Sequence, residues 1–137
     1  MGAPPETVSV WFHRDGAPAA VERSVPGAGV EAALRALVRG PTGAERAAGY
    51  TSWFSDATRS VVRTVEVDSS RVTVDFDAEL MTLAPGAGSS SGSGQLLESL
   101  DSTVLQFPWV RTAEYRMAGS CAEFWGWLQR ECTVVRR

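Results

Sequence analysis

Strict alternation of apolar and polar residues predicts strands in several parts of the chain. In the first of these, Val8, Val10 and Phe12 fall on one side and Ser9, Trp11 and His13 fall on the other, which is the period of a half-buried strand. Two later runs are joined by a short polar turn and therefore predict an antiparallel hairpin. The predicted strands cover residues 8–13, 60–67, 71–78 and 110–117, and a short additional strand is expected at 20–23.

Helical spacing of apolar residues predicts two main helices. Apolar residues recur every three or four positions between Val30 and Val38, and Gly40-Pro41 ends this helix. The second helix is expected over residues 94–107 and must end before Pro108. This order of strands and helices predicts a single compact α+β domain, in which two main helices pack on a small mixed four-stranded sheet.

The segment Thr42-Gly43-Ala44-Glu45 has the sequence of a helix capping box. The threonine oxygen accepts from the backbone N–H three residues later, and the glutamate accepts from the threonine N–H. A short helix is therefore predicted from Gly43 to about Ala48, with Gly49 in the left-handed conformation behind it. Backbone N–H groups at a helix start also attract anions, so a ligand loop is the alternative, but capping already accounts for these residues.

Residues 84–94 read APGAGSSSGSG, and this composition predicts a mobile internal loop. Side chains that could pack are almost absent from it, and runs of glycine and serine favour many conformations.

Three segments share the pattern of a known family. They are residues 37–49, which contain GPT followed by a glutamate, the hairpin ending VTVDF at 72–76, and the helix ending QFP at 106–108. With the flanking strands they resemble the GerMN domain, the sporulation and spore-germination module, over roughly residues 7–119. The residues of this structural motif are Gly40, Pro41, Thr42, Glu45, Gly49, Phe107 and Pro108.

The resemblance implies a fold similar to the ring-building motifs of secretion and sporulation complexes, with no catalytic residues. It also implies display outside the cytoplasmic membrane of a Gram-positive bacterium, as an actinobacterial-type envelope lipoprotein or a secreted protein. The signal segment and any lipid anchor would then lie upstream of the first residue. On this template residues 1–7 form an N-terminal extension, 8–119 form the domain, and 120–137 form a C-terminal extension packed on it.

The charge pattern makes two classes of partner unexpected. The 137-residue chain is 21% charged with a net charge of -3, and its thirteen basic residues are all arginines that do not collect in runs. A basic stripe that neutralises phosphates is missing, so no nucleic-acid partner is expected, and an anionic membrane surface is disfavoured for the same reason. No apolar stretch approaches the roughly 20 residues of a membrane span.

The C-terminal extension contains both cysteines, Cys121 and Cys132. A straight helix would place their Cα atoms about 16 Å apart, too far for a bond, so a disulfide requires a folded-back loop. An exported domain resides where disulfides persist, which favours the disulfide over two buried free thiols, the alternative expected in a cytosol.

The five tryptophans of this small chain suggest a recognition surface. The alternative, which we favour, is that the C-terminal extension folds over the open sheet face and its tryptophans form a second core layer. Trp53 and Phe54 lie in a predicted loop and are the better candidates for exposed contacts. The candidate binding surface comprises Trp11, Trp53, Phe54, Trp109, Trp125 and Trp127.

Residues capable of catalysis or metal binding occur without the partners that such chemistry needs. His13 is the only histidine and has no evident paired nucleophile. Asp75, Asp77 and Glu79 are expected on one strand face, about 7 Å apart, with no glycine turn to fold them around an ion. No catalytic residue, metal or cofactor is predicted.

These observations leave two function hypotheses. The first is a non-enzymatic extracytoplasmic module that assembles with an envelope protein, or with copies of itself, through its sheet edge and aromatic loops. The second is a binding module or sensor that takes a small apolar or cell-wall glycan ligand on a tryptophan-lined surface. A hydrolase is disfavoured because no nucleophile elbow or histidine-based metal motif is present.

Overall fold

The structure, a computed structural model, describes residues 5–27 and 29–137. The strands are β1 (Pro5–Arg14), β2 (Ala17–Pro26), β3 (Tyr50–Thr51), β4 (Val62–Asp68), β5 (Arg71–Phe76), β6 (Thr112–Met117) and β7 (Val135–Arg136). The helices are α1 (Val30–Leu37), α2 (Gly43–Ala47), α3 (Glu79–Leu83), α4 (Ser90–Val104) and α5 (Cys121–Trp127). Short 3-10 turns lie at Asp56–Thr58 and Pro85–Gly88. The α+β class is confirmed.

The first sheet is built on the hairpin of β1 and β2. Its two-residue loop is Asp15-Gly16, with φ angles of 53° and 79°. Positive φ at both central residues is the pattern of a type I′ turn, whose twist matches that of the flanking strands. Strand β3 pairs with the end of β1, so the sheet has the order β2-β1-β3.

The second sheet contains four strands in the order β4-β5-β6-β7. The predicted hairpin is present, because β4 and β5 pair antiparallel across the polar turn. Strands β5 and β6 are parallel, and α3 and α4 lie in the connection between them, as a parallel pair requires. The four-stranded sheet is therefore mixed, as expected, but β1 belongs to the other sheet.

On the side of β1 that faces away from β2, side chains take the hydrogen bonds of Ser9 and Trp11, ahead of the residues that pair with β3. The Gln106 amide accepts from the Ser9 N–H at 2.9 Å and donates to the Ser9 carbonyl at 2.7 Å. Next to it, the Trp11 N–H donates to Thr103 Oγ1 at 3.3 Å. A primary amide reproduces the donor and acceptor of a neighbouring strand, so this edge needs no further strand.

The C-terminal extension contributes to the main core. Cys121 and Cys132 form a disulfide with a Cα–Cα distance of 5.5 Å, which closes the extension on itself. Helix α5 places Phe124 against β6, with its ring centroid 5.4 Å from that of Tyr115 and 5.6 Å from that of Phe76. The Tyr115 hydroxyl donates to Asp101 of α4 at 2.7 Å. The extension is thus buried, as we favoured over an exposed recognition surface, but it belongs to the main core rather than to a separate second layer.

The predicted mobile loop at residues 84–94 is wrong, because this segment is ordered secondary structure. It forms a 3-10 turn and the first turn of α4, where Ser89 accepts from the Gly92 N–H at 3.0 Å as an N-cap. Glycine is needed here for close approach: a Cβ at Gly86 would lie 2.5 Å from Trp53 Cζ3, and one at Gly88 would lie 2.7 Å from Trp127 Nε1. The indole rings of Trp53 and Trp127 pack in the space that these glycines leave.

Several predicted boundaries also differ from the structure. The extra strand expected at 20–23 spans Ala17–Pro26, and α4 covers Ser90–Val104 rather than 94–107. Helix α3 was not predicted, and it places Glu79 on a helix rather than on a strand face. In the expected N-terminal extension, residues 1–4 lie outside the described ranges and residues 5–7 belong to β1.

Candidate functional site

The GPT motif forms a tight loop after α1. Gly40 is buried with φ 76°, and a Cβ there would collide with the Phe54 carbonyl oxygen and lie 2.8 Å from Ser55 Cα. Both the conformation and the contact require glycine. After it, the Thr42 N–H donates to Glu45 Oε1 at 2.9 Å and the Glu45 N–H donates to Thr42 Oγ1 at 3.2 Å. The predicted capping box is present and gives these residues a structural role.

Glu45 also connects α2 to the first sheet. Arg23 of β2 donates two hydrogen bonds to the Glu45 carboxylate, each 2.6 Å long. Bidentate pairing of this kind favours the charged carboxylate, and together with the Thr42 contacts it lowers the pKa of Glu45 to about 2. The same carboxylate raises the pKa of Arg23. The GPT loop is therefore ordered by capping and held to β2 by the charged pair of Arg23 and Glu45.

A groove of about 1290 Å³ lies between the end of β2, helix α1 and the GPT loop. This volume exceeds the roughly 1,000 Å³ upper range of small-molecule sites, and the groove is open to solvent along one side. Its apolar lining consists of Val25, Pro26, Ala32, Ala36, Pro41 and Ala57. We call it the GPT groove.

Four arginines line the GPT groove, and two of them have no carboxylate partner in the described part of the chain. Arg23 is held by Glu45, and Arg35 pairs with Glu31 at 3.0 Å. Arg46 donates only to the Phe54 carbonyl, at 3.2 Å. The Arg39 side chain is exposed and makes no hydrogen bond or ion pair within residues 5–27 and 29–137. Arg39 and Arg46 give the groove a local positive charge on a chain whose net charge is -3.

The free edge of β2 runs into the same groove. In a two-residue hairpin the pair next to the turn, here Arg14 and Ala17, is hydrogen-bonded, so alternate residues of β2 point their backbone groups away from β1. These are Pro18, Ala20, Glu22, Ser24 and Pro26. The prolines have no N–H, so the edge offers free N–H groups only between them.

The structure does not assemble the candidate aromatic surface. Phe54 and Trp125 are 1% and 3% exposed and belong to the core, which corrects the expectation that Trp53 and Phe54 make exposed contacts. The Trp53 ring packs on Gly86 and Gly92, and Trp127 packs on Gly88. Trp11 is half-buried, and Trp109 is the one tryptophan of the described chain that is largely exposed.

The remaining candidates for chemistry are separated or used in local structure. His13 is buried, and its Nε2 lies 3.9 Å from Glu98 Oε1. Asp75 accepts from the Gly119 N–H and Asp77 accepts from the Glu79 N–H, both at 2.9 Å. Within the described ranges, no cluster of three metal-ligating side chains is present. The helices in those ranges include none of the length and apolarity that a membrane crossing requires.

Comparison with known proteins identifies the family. A family model described as Germane, of sporulation and spore germination, matches residues 5–117. The chain belongs to the Germane family. The match covers both sheets up to the end of β6 and stops before the disulfide-closed extension. No curated protein matches the chain.

Solved structures with the GerMN fold agree with this membership. The first GerMN domain of the sporulation protein GerM from Bacillus subtilis is 18% identical, with a TM-score of 0.55 and 84% of each chain covered. The tandem GerMN domains of GerM are 20% identical with a TM-score of 0.54, over 87% of this chain. This chain spans 40% of the length of that tandem chain.

A third similar structure extends over the C-terminal part as well. It is a protein from Clostridium perfringens that is described as a lipoprotein, with 11% identity and a TM-score of 0.58. The alignment covers 97% of this chain and 88% of the other. At these identities the three structures show the fold alone.

Sequence reasoning found the GPT motif but not the groove beside it. The arginines are spread along the chain, and their spacing does not indicate that Arg39 and Arg46 share a site. The two residues line the same groove because α1, the GPT loop and α2 fold together. The proline spacing of β2 could have indicated its free edge, since Pro18 and Pro26 are an even number of residues apart and therefore share one backbone orientation.

Proposed function

We propose that this Germane-family domain is a non-enzymatic interaction module of the cell envelope that binds another protein by strand addition at the free edge of β2. The observation that carries the proposal is this edge itself. Ala20, Glu22 and Ser24 direct their N–H groups away from β1, and an extended segment of a second protein can pair with them. On the other side of β1, Gln106 and Thr103 take the backbone groups of Ser9 and Trp11, and β3 pairs with the end of the strand.

The remaining edges of the molecule are less suited to this role. On the second sheet, β7 is two residues long, and β4 carries a register shift between Val62 and Thr64. Irregular and very short edge strands discourage pairing with other chains. Strand β2 is regular over Ala17–Pro26, and although Pro18 and Pro26 limit the length of its edge, three outward N–H groups lie between them, so it is the favoured surface.

An extracytoplasmic address is part of the proposal. The Cys121–Cys132 disulfide supports it, because such bonds persist in oxidising compartments. The similar Clostridium perfringens protein, described as a lipoprotein, also supports it. Trapping thiols in intact cells with a membrane-permeant alkylating reagent tests the address, and we expect both cysteines to escape alkylation until a reductant is added. Alkylation without reductant would contradict the address.

The second hypothesis, a small apolar or glycan ligand on a tryptophan surface, has no observation in its favour here. The indoles of Trp53 and Trp127 are packed against glycines and that of Trp125 lies in the core. We therefore carry only the interaction module forward.

Photocrosslinking in the native host tests the edge directly. A photoreactive residue at Ala20, which is exposed on β2, is expected to give a discrete adduct with another envelope protein or with a second copy of this chain. The matched control places the same residue at Glu66, which is exposed on β4. Equal adducts from both positions, or none from Ala20, would contradict strand addition at β2.

A proline substitution tests the backbone contribution. Glu22→Pro removes an outward N–H at a position with the same orientation as Pro18 and Pro26, so the fold should tolerate it. We expect the Ala20 adduct to be lost while the circular dichroism spectrum is unchanged. If Glu22→Pro proves unstable, Ala20→Pro with the crosslinker at Ser24 repeats the test. An adduct that survives a folded proline variant would rule out pairing at this edge.

A further inference from the structure

We infer that the segment bound at β2 is an extended acidic peptide of a partner protein, whose carboxylate is held by Arg39 and Arg46 in the GPT groove. The inference rests on the proposed function and specifies its partner. It uses the two features of the described surface that coincide in space: a strand edge that recognises backbone, and a positively charged groove that recognises a side chain.

The edge and the groove form one continuous surface. Ser24 is the last residue of β2 with an outward N–H, and Ser24, Val25 and Pro26 all line the groove. A peptide that pairs with β2 and is longer than the open edge therefore runs over Pro26 and enters the groove. Its direction can be either parallel or antiparallel, because both pairings use the same outward groups.

The chemistry of the groove selects the charge of the peptide. The apolar lining contributed by α1 and the GPT loop accommodates aliphatic side chains, while the two uncompensated guanidiniums repel cations and attract carboxylates. Two carboxylates also line the groove, and each has an arginine nearby: Glu31 pairs with Arg35 at 3.0 Å, and the exposed Asp56 lies 3.6 Å from Arg59. Arg23 is paired with Glu45 through two hydrogen bonds.

Glu22 adds a constraint on register. Its side chain is exposed on the edge strand, so a carboxylate placed directly opposite would be repelled. The favoured register therefore puts a neutral residue opposite Glu22 and the acidic residue beyond Pro26. We therefore expect a peptide with an acidic side chain in this one position to bind better than a uniformly acidic peptide.

Peptide titration followed by amide NMR tests the inference on the full chain. The probe is a short capped peptide of alternating threonine and valine with two glutamates at one end, and its match carries glutamines there. We expect the outward amides of Ala20, Glu22 and Ser24 to shift with both peptides. The glutamate peptide should bind about 5-fold more tightly, and sodium chloride should erase this preference because exposed charge pairs are weak and screened.

Three variants separate the contributions. Arg39→Ala combined with Arg46→Ala is expected to abolish the preference for glutamate. Arg136→Ala removes an exposed arginine of β7 in the second sheet and should leave the preference intact. Arg39→Glu changes a side chain without protein partners, so the fold should be unaffected, and the preference should turn toward the glutamine peptide.

The outcomes distinguish this inference from the proposed function. Equal affinities for the two peptides, a preference that survives the double variant, or no shift with either peptide would overturn the inference. If Glu22→Pro abolishes binding of both peptides and no charge preference exists, strand addition stands and the acidic partner does not. If the arginine-dependent preference persists in Glu22→Pro, the groove binds acidic peptides without the edge, and strand addition is contradicted.

Discussion

At the scale of single residues, Gln106 has the clearest effect on architecture. Its amide makes three hydrogen bonds of 2.7 to 2.9 Å, two to the Ser9 backbone and one to the Thr103 carbonyl. A half-buried strand edge is thereby completed by one side chain, and water or a foreign strand is kept away from it. At Ser9, β1 therefore has β2 on one side and the Gln106 amide on the other.

Gln106→Ala should lower the free energy of unfolding by about 1–3 kcal/mol, because the backbone groups of Ser9 lose their partners in a partly buried place. Urea unfolding followed by tryptophan fluorescence measures the change. Gln95→Ala is the matched control, since Gln95 lies half-buried on α4, which precedes Gln106, and its side chain makes no hydrogen bond to the described residues. Equal losses in the two variants would show that the edge contact is not the cause.

At the scale of elements, the start of α4 depends on glycine in one position and not in another. A Cβ at Gly92 would collide with the Gly86 carbonyl oxygen and lie 3.0 Å from Trp53 Cζ2, whereas a Cβ at Gly94 meets nothing within 4 Å. Gly92→Ala should destabilise the protein by about 1–3 kcal/mol through overpacking. Gly94→Ala should stabilise it by about 0.5–1 kcal/mol, because alanine favours the helix.

Thermal and urea unfolding of these two variants measure both effects. If both substitutions are neutral or stabilising, the indole of Trp53 is not packed on this turn and the segment is loose, as its composition alone predicts. Opposite signs would establish that the glycines provide space for side chains rather than freedom for the backbone.

The element α2 should show a defined pH dependence through Glu45. Its folded pKa of about 2 lies below the ordinary value of 4.5, so its stabilising contribution is present above pH 4.5 and is lost as the pH falls toward 2. Glu45→Gln should therefore lower stability by about 1 kcal/mol at pH 7, and the difference from the original protein should vanish near pH 2. Unfolding at a series of pH values measures this.

Glu31→Gln is the control for the Glu45→Gln variant. It removes a carboxylate that pairs with Arg35 on the exposed face of α1, where both side chains are about half exposed. We expect it to cost less than about 0.5 kcal/mol at pH 7. A difference between Glu45→Gln and the original protein that stays constant from pH 7 to pH 2 would contradict the charged pairing with Arg23.

At the scale of the whole molecule, the disulfide closes the C-terminal extension that packs on the core. The bond joins residues 11 apart in sequence and closes the loop that carries Phe124 and Trp125. Replacing both cysteines by serine should lower the free energy of unfolding by about 3 kcal/mol, because a closed loop of this size restricts the unfolded chain. Reduction of the original protein should have the same effect.

Urea unfolding with and without a reductant measures the contribution of the disulfide. The double serine variant should be insensitive to the reductant, which makes it the internal control. If reduction leaves the unfolding midpoint unchanged, the packing of Phe124 against Tyr115 and Phe76 is sufficient to hold the extension, and the covalent bond is redundant.

The sequence by itself determined the features that depend on local interactions. The capping box of Thr42 and Glu45 is one of them, and the hairpin of β4 and β5 is another. Each arises between residues close together in the chain, so spacing and residue type are enough to predict it. The GPT motif also indicated the family. It is a local feature, because a positive φ in a tight loop requires glycine at position 40.

Only the tertiary structure decided the features that depend on distant residues. The partner of the Ser9 backbone is Gln106, 97 positions away, and the packing of the glycine-rich segment depends on Trp53. The positive charge of the GPT groove depends on which arginines have a carboxylate partner once α1 and α2 pack beside β2. Composition indicates how a segment behaves alone. The strand edge, the glycine-rich segment and the groove charge instead depend on packing and charge between segments that are far apart in the sequence.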